Sequence, residues 1–263
     1  MSDTIAPLHR SRKQVFLLGV KVDALTLGEC LAVIQTLIIQ KDKTVISYVN
    51  IHAINIAYST PWFRDFLNRS DLTFCDGIGV KLAAKLTGQQ LSSRYTPPDF
   101  MEHICEMAVQ FGWRIFFLGG KPGIAERAAN RLANKLIGLQ IQSHHGYFDK
   151  ILDSKENQQV VKQINQFCPD ILVLGFGMPL QEKWILENMN SLDVKMAFPA
   201  GAMFDYLSGQ LPRAPRWITD NGLEWLGRLV VEPQRLWKRY LIGNPLFFWR
   251  VFIHDFLGYP LPR

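Results

Sequence analysis

Short apolar runs alternate with amphipathic segments along most of this chain, and this alternation constrains the fold more than any other feature. The runs are rich in Val, Ile, Leu and Phe. Continuous apolar runs of this length are typical of strands that are buried on both faces, as in a parallel sheet. The predicted strands are Gln14–Val20, Thr44–Val49, Leu72–Cys75, Arg114–Leu118, Leu139–Ser143, Asp170–Gly175 and Lys195–Pro199.

The segments between these runs have the periodicity of helices. Leu25–Ile39 carries apolar residues at helical spacing, and Pro122–Ile137 and Ser154–Phe167 are amphipathic. Ser59-Thr60-Pro61 has the pattern of a cap followed by proline at the first helical position. The alternation of strands and helices predicts an α/β protein with a Rossmann-like fold, in which helices flank a mainly parallel sheet.

The pattern changes near Gly209, and the rest of the chain is predicted to be helical. The predicted helices are Ala214–Arg228, Glu232–Leu241 and Pro245–Leu257. We therefore predict a Rossmann-like domain over residues 1–209 and a helical appendage over residues 210–263. The appendage carries most of the chain's net charge of +6 and four of its seven tryptophans. This composition suits a membrane surface, and it equally suits helices that pack their aromatic side chains on the core.

The sequence also bears on the cellular compartment. Cys30, Cys75 and Cys105 lie in apolar stretches, which predicts buried free thiols and suits a reducing cytoplasm. The first residues have no apolar region of the kind found in signal peptides. The longest apolar candidate, Leu241–Leu257, contains Pro245 and charged residues, so no membrane span is expected.

Three predicted strands end in glycine-containing turns, and ligands of open α/β sheets bind at these ends. The turns begin at Asp76-Gly77, Gly119-Gly120 and Gly175-Phe176-Gly177. Glycine allows backbone N–H groups to approach a phosphate closely, so the three turns together favour a phosphate-bearing ligand. No turn fits the dinucleotide-binding or Walker pattern, which disfavours nicotinamide enzymes and NTPases. Asp76 has two interpretations at this stage: a catalytic base or a helix cap.

No metal site is evident in the sequence. The adjacent His144 and His145 would point to opposite faces of a strand, and there is no Asp-x-Asp pair. We therefore expect no metal cofactor. The charge of a leaving diphosphate would be neutralised by Arg, Lys and backbone N–H groups.

A series of motifs resembles the WecG/TagA/CpsF glycosyltransferases. Asp76-Gly77-Ile78-Gly79-Val80 is similar to the family's D-G-x-G-x element, and Gly177-Met178-Pro179-Leu180-Gln181-Glu182 is similar to its G-x-P-x-Q-E element. The further matches, in chain order, are Arg94 with Asp99, Phe117-Leu118-Gly119-Gly120, His145-Gly146-Tyr147-Phe148, Ala202-Met203-Phe204-Asp205, Arg213-Ala214-Pro215, Gly222-Leu223-Glu224-Trp225-Leu226 and Glu232-Pro233.

The resemblance implies an inverting enzyme without a metal, which transfers a sugar from a UDP donor to an undecaprenyl-diphosphate-linked saccharide at the inner face of the cell membrane. It assigns the base to Asp76 and an important arginine to Arg94. It implies that the remaining candidate residues bind substrate: Asn50, Gly119, Gly120, Tyr147, Gly177, Gln181, Asp205, Arg228, Arg235 and Arg239. Nucleic acid is not an expected partner, and self-association through the appendage remains open.

The transferred sugar does not follow from the resemblance. Tyr48-Val49-Asn50 stands where some members have T-P-N, and Pro199-Ala200-Gly201 replaces a G-x-G-like run. These positions line the predicted pocket, so both glucose and N-acetylhexosamines are open. Two other functions are less favoured: a different Rossmann-like enzyme, such as a methyltransferase, and a non-catalytic protein of the membrane surface.

Overall fold

The computed structural model describes residues 12–40, 43–92, 96–211 and 224–261. The strands are β1 Gln14–Leu17, β2 Val20–Asp23, β3 Thr44–Val49, β4 Leu72–Cys75, β5 Arg114–Gly119, β6 Gln140–His144, β7 Ile171–Gly175 and β8 Met196–Pro199. The helices are α1 Leu27–Gln40, α2 Ile51–Ser59, α3 Pro61–Arg69, α4 Ile78–Leu86, α5 Pro97–Phe111, α6 Ile124–Lys135, α7 Lys155–Phe167, α8 Leu180–Asn188, α9 Met203–Leu207, α10 Glu224–Val231, α11 Pro233–Trp237 and α12 Gly243–Val251. A 3₁₀ turn follows α8 at Met189–Ser191, and π-helical turns follow α11 at Lys238–Ile242 and α12 at Phe252–Phe256.

Six strands form one parallel sheet in the order β4-β3-β8-β7-β5-β6. The chain builds outward from β3 to β4, crosses to β5 and β6 on the other side, and then returns through β7 and β8 to fill the centre. This arrangement confirms the predicted α/β class with a parallel sheet. The carboxyl ends of all six strands lie at one edge, where open α/β sheets bind their ligands.

The prediction of Gln14–Val20 as one strand of this sheet is wrong. The chain turns at Leu18 and Gly19, where φ is +48° and +79°, and β1 and β2 form a separate antiparallel hairpin. Glycine adopts positive φ without steric cost, so Gly19 allows a tight reversal inside what reads as one apolar run. The apolar character is explained by packing, because Val15, Leu17, Val20 and Val22 are buried.

Two apolar layers cover the sheet, one on each face. Alternate residues of a strand point to opposite faces, so Tyr48 and Val49 belong to different layers. The layer that contains Val49 also includes side chains of α2, α3 and α8, and the layer that contains Tyr48 includes those of α1, α5 and α6. Cys30, Cys75 and Cys105 are free and buried in these layers, as predicted.

The C-terminal helices pack on α2 rather than standing apart from the sheet domain. Phe247 and Val251 of α12 are buried in the same apolar layer as Ala53 and Ile54 of α2. The predicted division at residue 209 stays a prediction. Within the described ranges, no helix has both the length and the apolar character that crossing a bilayer requires.

Candidate active site

A cleft of about 1440 Å³ lies at the carboxyl edge of the sheet. Its walls come from the loops that follow the sheet strands and from helices α10 to α12. Nine of the predicted functional residues line it, although they are widely separated in the sequence: Asn50, Asp76, Gly120, Tyr147, Gly177, Asp205, Arg228, Arg235 and Arg239. Gly119 and Gln181 lie directly behind the lining, and Arg94 lies outside the described residues.

Asp76 follows β4 and is paired with Asn50, which follows the neighbouring strand β3. The Asn50 Nδ2 donates a hydrogen bond to Asp76 Oδ2 at 3.3 Å, and the Asn50 Oδ1 accepts one from the backbone N–H of Ala53 at 3.0 Å. Asp76 is not the N-cap residue of α4, because the helix begins at Ile78 and its N-cap residue is Gly77. The side chain of Asp76 is half-buried at the cleft wall, where a general base can reach a bound hydroxyl.

Three glycine-containing loops form one wall of the cleft by close backbone packing. The backbone N–H of Gly120 donates to Gly175 O at 3.1 Å, and the N–H of Gly146 donates to Gly120 O at 2.8 Å. A Cβ on Gly119 would lie 2.6 Å from Gly175 O, and a Cβ on Gly146 would lie 3.1 Å from the Gly119 Cα. Only glycine fits at Gly119, so the sequence here is dictated by the approach of two loops.

Gln181 links two further loops from behind the cleft. Its Oε1 accepts hydrogen bonds from the backbone N–H groups of Gly177 at 3.2 Å and of Gly201 at 3.1 Å, and its Nε2 donates to Glu182 Oε1 at 2.8 Å. Gln181 is fully buried, and these contacts hold the ends of β7 and β8 together. The prediction that Gln181 itself binds substrate stays a prediction, since its described contacts are all with the protein.

Glu182 is a buried carboxyl group on the sheet side of α8. Its side chain is 1% exposed, and burial raises its pKa to about 7. Its Oε2 has no hydrogen-bond partner among the described residues. A carboxyl group in this environment is partly protonated at neutral pH because its charged form is poorly solvated.

Basic side chains of the C-terminal helices form the opposite wall. Arg228 and Arg239 stack near the rings of Tyr206 and Tyr240, at 5.7 and 5.5 Å, and Arg235 pairs with Glu232 at 3.0 Å. The Nε atoms of Arg228 and Arg239 are buried without a hydrogen-bond partner in the part of the chain that the structure describes. Guanidinium groups with unused donors inside a cleft suit an anionic ligand.

Asp205 lies close to this basic wall. Burial raises the pKa of its carboxyl group, and the charge of Arg235 acts in the opposite direction, followed by those of Arg228 and Lys121. Asp205 therefore balances part of the positive charge at this end of the cleft.

Among the cleft residues that sequence reasoning did not single out, His52 and Lys150 carry ionisable nitrogen. His52 lies in the first turn of α2, and burial, with a smaller contribution from Arg239, lowers its pKa to about 4. Lys150 donates hydrogen bonds to Gly146 O and, at 3.2 Å, to Phe148 O, and burial lowers its pKa. None of the recognised motifs includes His52 or Lys150. Tyr48, in contrast, belongs to the Tyr48-Val49-Asn50 segment that was predicted to line the pocket, although no role was assigned to it.

Polar contacts join α12 and the following turn to α2. The Arg250 Nη1 donates to Asn55 Oδ1 at 2.7 Å, and the Arg250 Cζ lies 4.0 Å from the centre of the Tyr58 ring. The Tyr58 hydroxyl and His254 Nε2 are 2.8 Å apart. Asn50, which contacts Asp76, is the N-cap residue of α2, and His52 lies in its first turn. The C-terminal helices therefore pack on the same helix that positions the contact to Asp76.

A row of aromatic side chains remains exposed on this C-terminal segment. Trp249, Phe252 and Phe256 are 58%, 45% and 58% exposed, and neighbouring rings in the row are 5.9 Å apart. The sequence left open whether the aromatic side chains of the C-terminus pack on the core or suit a membrane surface. Phe247 packs on the core, whereas this row is exposed.

The expectation that no metal is needed stays a prediction. In the ranges that the structure describes, no three His, Cys, Asp or Glu side chains converge in a way that would hold a metal ion.

Comparison with known proteins places the chain among sugar transferases. Two similar proteins carry the name N-acetylglucosaminyldiphosphoundecaprenol N-acetyl-beta-D-mannosaminyltransferase. That of Staphylococcus aureus (strain MRSA252) is 27% identical over 242 residues, which cover 90% of this chain and 92% of the relative. That of Bacillus subtilis (strain 168) is 32% identical over 202 residues, or 77% of each. Residues 15–259 match the profile described as the glycosyl transferase WecG/TagA/CpsF family. The chain therefore belongs to the WecG/TagA/CpsF family of glycosyltransferases.

Proposed function

We propose that this glycosyltransferase moves a sugar from a UDP-sugar to a polyprenyl-diphosphate-linked saccharide, with inversion and without a metal, in the synthesis of a cell-surface polysaccharide. The observation that carries the proposal is the pairing of one oriented carboxylate, Asp76, with a basic wall formed by Arg228, Arg235 and Arg239 in the same cleft. The names of the relatives support the class of acceptor, since both name a diphosphoundecaprenol-linked sugar.

In the proposed reaction, Asp76 removes the proton from a hydroxyl group of the acceptor. The acceptor oxygen then forms a bond to the anomeric carbon of the donor sugar from the face opposite the UDP. The bond between that carbon and the diphosphate oxygen breaks, and its electron pair leaves with UDP. A single displacement inverts the anomeric centre and requires only one base, the role that we assign to Asp76.

The basic wall has a defined role in this scheme. Arg228, Arg235 and Arg239, together with backbone N–H groups of the glycine loops, neutralise the charge that develops on the diphosphate. We assign Arg94 to the same task, on the donor or the acceptor. Tyr147 is 64% exposed at the rim of the cleft and is a contact for the outer part of a bound substrate.

The acceptor's lipid tail requires the cleft to open close to a bilayer, and the exposed aromatic row suits this. Asn244 lines the cleft at the start of α12, and Trp249 lies five residues further, about 8 Å along the helix axis. Exposed aromatic rings beside basic residues are typical of surfaces that lie in the headgroup region. We propose that the enzyme binds the inner face of the cell membrane through Trp249, Phe252 and Phe256.

Vesicle sedimentation tests this membrane contact without disturbing the core. Replacing Trp249 and Phe256 by Ser should weaken binding to anionic vesicles at least about tenfold, because each ring removes apolar area from water. Ile137→Ser is the matched control: Ile137 is 91% exposed, but it lies between α6 and β6, at the amino ends of the strands. Equal binding by both variants would contradict the proposed contact.

The function itself is tested by a donor screen. The full chain is incubated with a polyprenyl-diphosphate saccharide and a panel of UDP-sugars, with and without EDTA, and released UDP is measured. Release that requires the acceptor, prefers one donor and survives EDTA is the expected result. Release that EDTA abolishes would contradict the metal-free mechanism, and a chain that neither releases nor binds UDP would contradict the function.

A further inference from the structure

Tyr48 places an unusual hydroxyl group in the cleft. It is the next-to-last residue of β3, opposite Phe74 of β4 in the sheet register. Its ring packs against Phe74 and Phe198, with centroid separations of 6.0 and 6.4 Å. The side chain is only 6% exposed, yet it lines the cleft. Packing therefore fixes the ring, and only its outer end can meet a ligand.

The Tyr48 hydroxyl has no hydrogen-bond partner among the residues that the structure describes. Buried Tyr hydroxyls usually find a partner, because desolvating an unused donor and acceptor costs free energy. Beside it stands Gly201, where an added Cβ would lie 2.8 Å from the hydroxyl oxygen. The glycine leaves space for this oxygen at the cleft surface. The Tyr48 hydroxyl is therefore available to form a hydrogen bond with a ligand.

Charged groups from both halves of the proposed reaction act on Tyr48. Asp76, from the base region, and Glu182 are the negative charges that act on the phenol. Arg239 and Arg228, from the basic wall, are the positive charges that act on it. Burial has the largest effect and raises the pKa of Tyr48, so the hydroxyl is neutral and can both donate and accept a hydrogen bond.

The loop next to the hydroxyl is joined to one of the glycine-containing turns that were predicted to bind phosphate. Gln181 holds Gly201 and Gly177 through one amide oxygen, so the loop below the Tyr48 hydroxyl is tied to a glycine loop of the cleft. In a single displacement, the transferred sugar lies between the acceptor at the base and the leaving diphosphate. The Tyr48 hydroxyl lies in the same cleft beside Gly201 and is influenced by the charges of both regions.

We propose that the Tyr48 hydroxyl hydrogen-bonds an oxygen of the transferred sugar and is a determinant of which UDP-sugar the enzyme accepts. This inference rests on the proposed function and adds a contact that selects the donor. A site that hydrogen-bonds a substrate hydroxyl discriminates strongly against sugars that lack it or hold it in another orientation, because the protein group is then left unpaired. The packed ring cannot move to follow such a sugar.

Tyr48→Phe tests the proposal because it removes one oxygen and keeps the packed ring. We expect kcat/KM for the preferred UDP-sugar to fall about three- to tenfold, the loss of one neutral hydrogen bond. The ratio of kcat/KM between the preferred UDP-sugar and the other UDP-sugars should decrease, and the affinity for UDP alone should be unchanged. The thermal midpoint should stay the same or rise, since the lost hydroxyl has no described protein partner.

Tyr58→Phe is the matched control, because its hydroxyl is bonded to His254 and lies outside the cleft lining. It should lower the thermal midpoint and leave the donor preference as in the wild type. An unchanged donor preference in Tyr48→Phe, or an equal loss for UDP and every UDP-sugar, would overturn the proposal. Calorimetric binding of each UDP-sugar needs no turnover and distinguishes failure of the proposed function from failure of this inference. If the wild-type chain binds none of the UDP-sugars, both the proposed function and this inference are refuted. If the wild-type chain binds them and Tyr48→Phe binds them equally well, only this inference is refuted.

Discussion

The side-chain amide of Asn50 orients the carboxylate of Asp76. The backbone N–H of Ala53 can only donate, so Asn50 Oδ1 faces α2 and Asn50 Nδ2 must face Asp76 Oδ2, 3.3 Å away. The first turn of α2 therefore decides which atom of Asn50 meets the carboxylate. Two loops that end neighbouring parallel strands are joined at the point where we propose that the acceptor hydroxyl loses its proton.

Asp76→Asn should reduce kcat by about 10² to 10⁴ and leave UDP affinity unchanged, because it removes the base and keeps the shape of the side chain. Initial rates of UDP release and calorimetric binding of UDP measure the two quantities. Near wild-type turnover with unchanged binding would exclude Asp76 as the base. A loss of stability alone, with turnover retained, would instead assign Asp76 a structural role.

Asn50→Ala should affect both stability and turnover. The loss of the N-cap of α2 costs about 1 kcal/mol in the free energy of unfolding, and the loss of the contact to Asp76 should lower kcat about tenfold. Ser154→Ala is the matched control, because Ser154 caps α7 by accepting from Asn157 N at 3.1 Å and does not line the cleft. The control should lose similar stability and keep full turnover. Equal turnover in the two variants would show that Asn50 acts only as a cap.

Glu182→Gln should change how stability depends on pH. The carboxyl group titrates near pH 7 in the folded chain and near 4.5 when unfolded, so between these values the folded state holds the proton more tightly. Stability from this group is complete below pH 4.5 and is lost as the pH rises to about 7, by roughly 3 kcal/mol. Urea unfolding at pH 5 and pH 8 should show a smaller difference for Glu182→Gln than for the wild type. The exposed Glu156→Gln should leave the wild-type difference unchanged; the same difference in all three chains would contradict the assignment.

Gly119→Ala should damage the cleft through the backbone. The added Cβ would lie 2.6 Å from Gly175 O, at a φ of +155°, so the ends of β5 and β7 must separate. We expect a loss of at least about 2 kcal/mol in the free energy of unfolding, together with weaker UDP binding. Gly28→Ala is the control: Gly28 lies in α1 with nothing within 4 Å of the added atom, and alanine there should stabilise the helix slightly. A fully stable Gly119→Ala chain with normal UDP affinity would contradict the close packing.

Local patterns in the sequence predicted most of the regular structure and the region of the site. The predicted runs gave six of the eight strands. For β3, β4, β5, β7 and β8 the reason is burial on both faces of a parallel sheet, which requires continuous apolar residues, whereas β6 is an edge strand with no fully buried residue. Glycine and aspartate after these runs marked the edge where ligands bind. Helices α2, α5, α8 and α9 were not predicted. For α5 a signal was available, because Thr96-Pro97 repeats the pattern of Thr60-Pro61 that predicted α3. The family motifs added the candidate residues, nine of which converge in one cleft.

Contacts between distant residues were decided only by the tertiary structure. The order of the strands depends on crossover connections, which leave no local pattern in the chain. The joining of Gly177 and Gly201 by Gln181, the lowered pKa of His52 and the open hydroxyl of Tyr48 each require neighbours from several strands and helices. The sequence by itself therefore determined the fold class, most of the secondary structure and the edge that carries the site, since these follow from local periodicity and turn chemistry. Packing determined the partners, the burial and hence the chemical state of each side chain in the cleft, because these depend on atoms far apart in the chain.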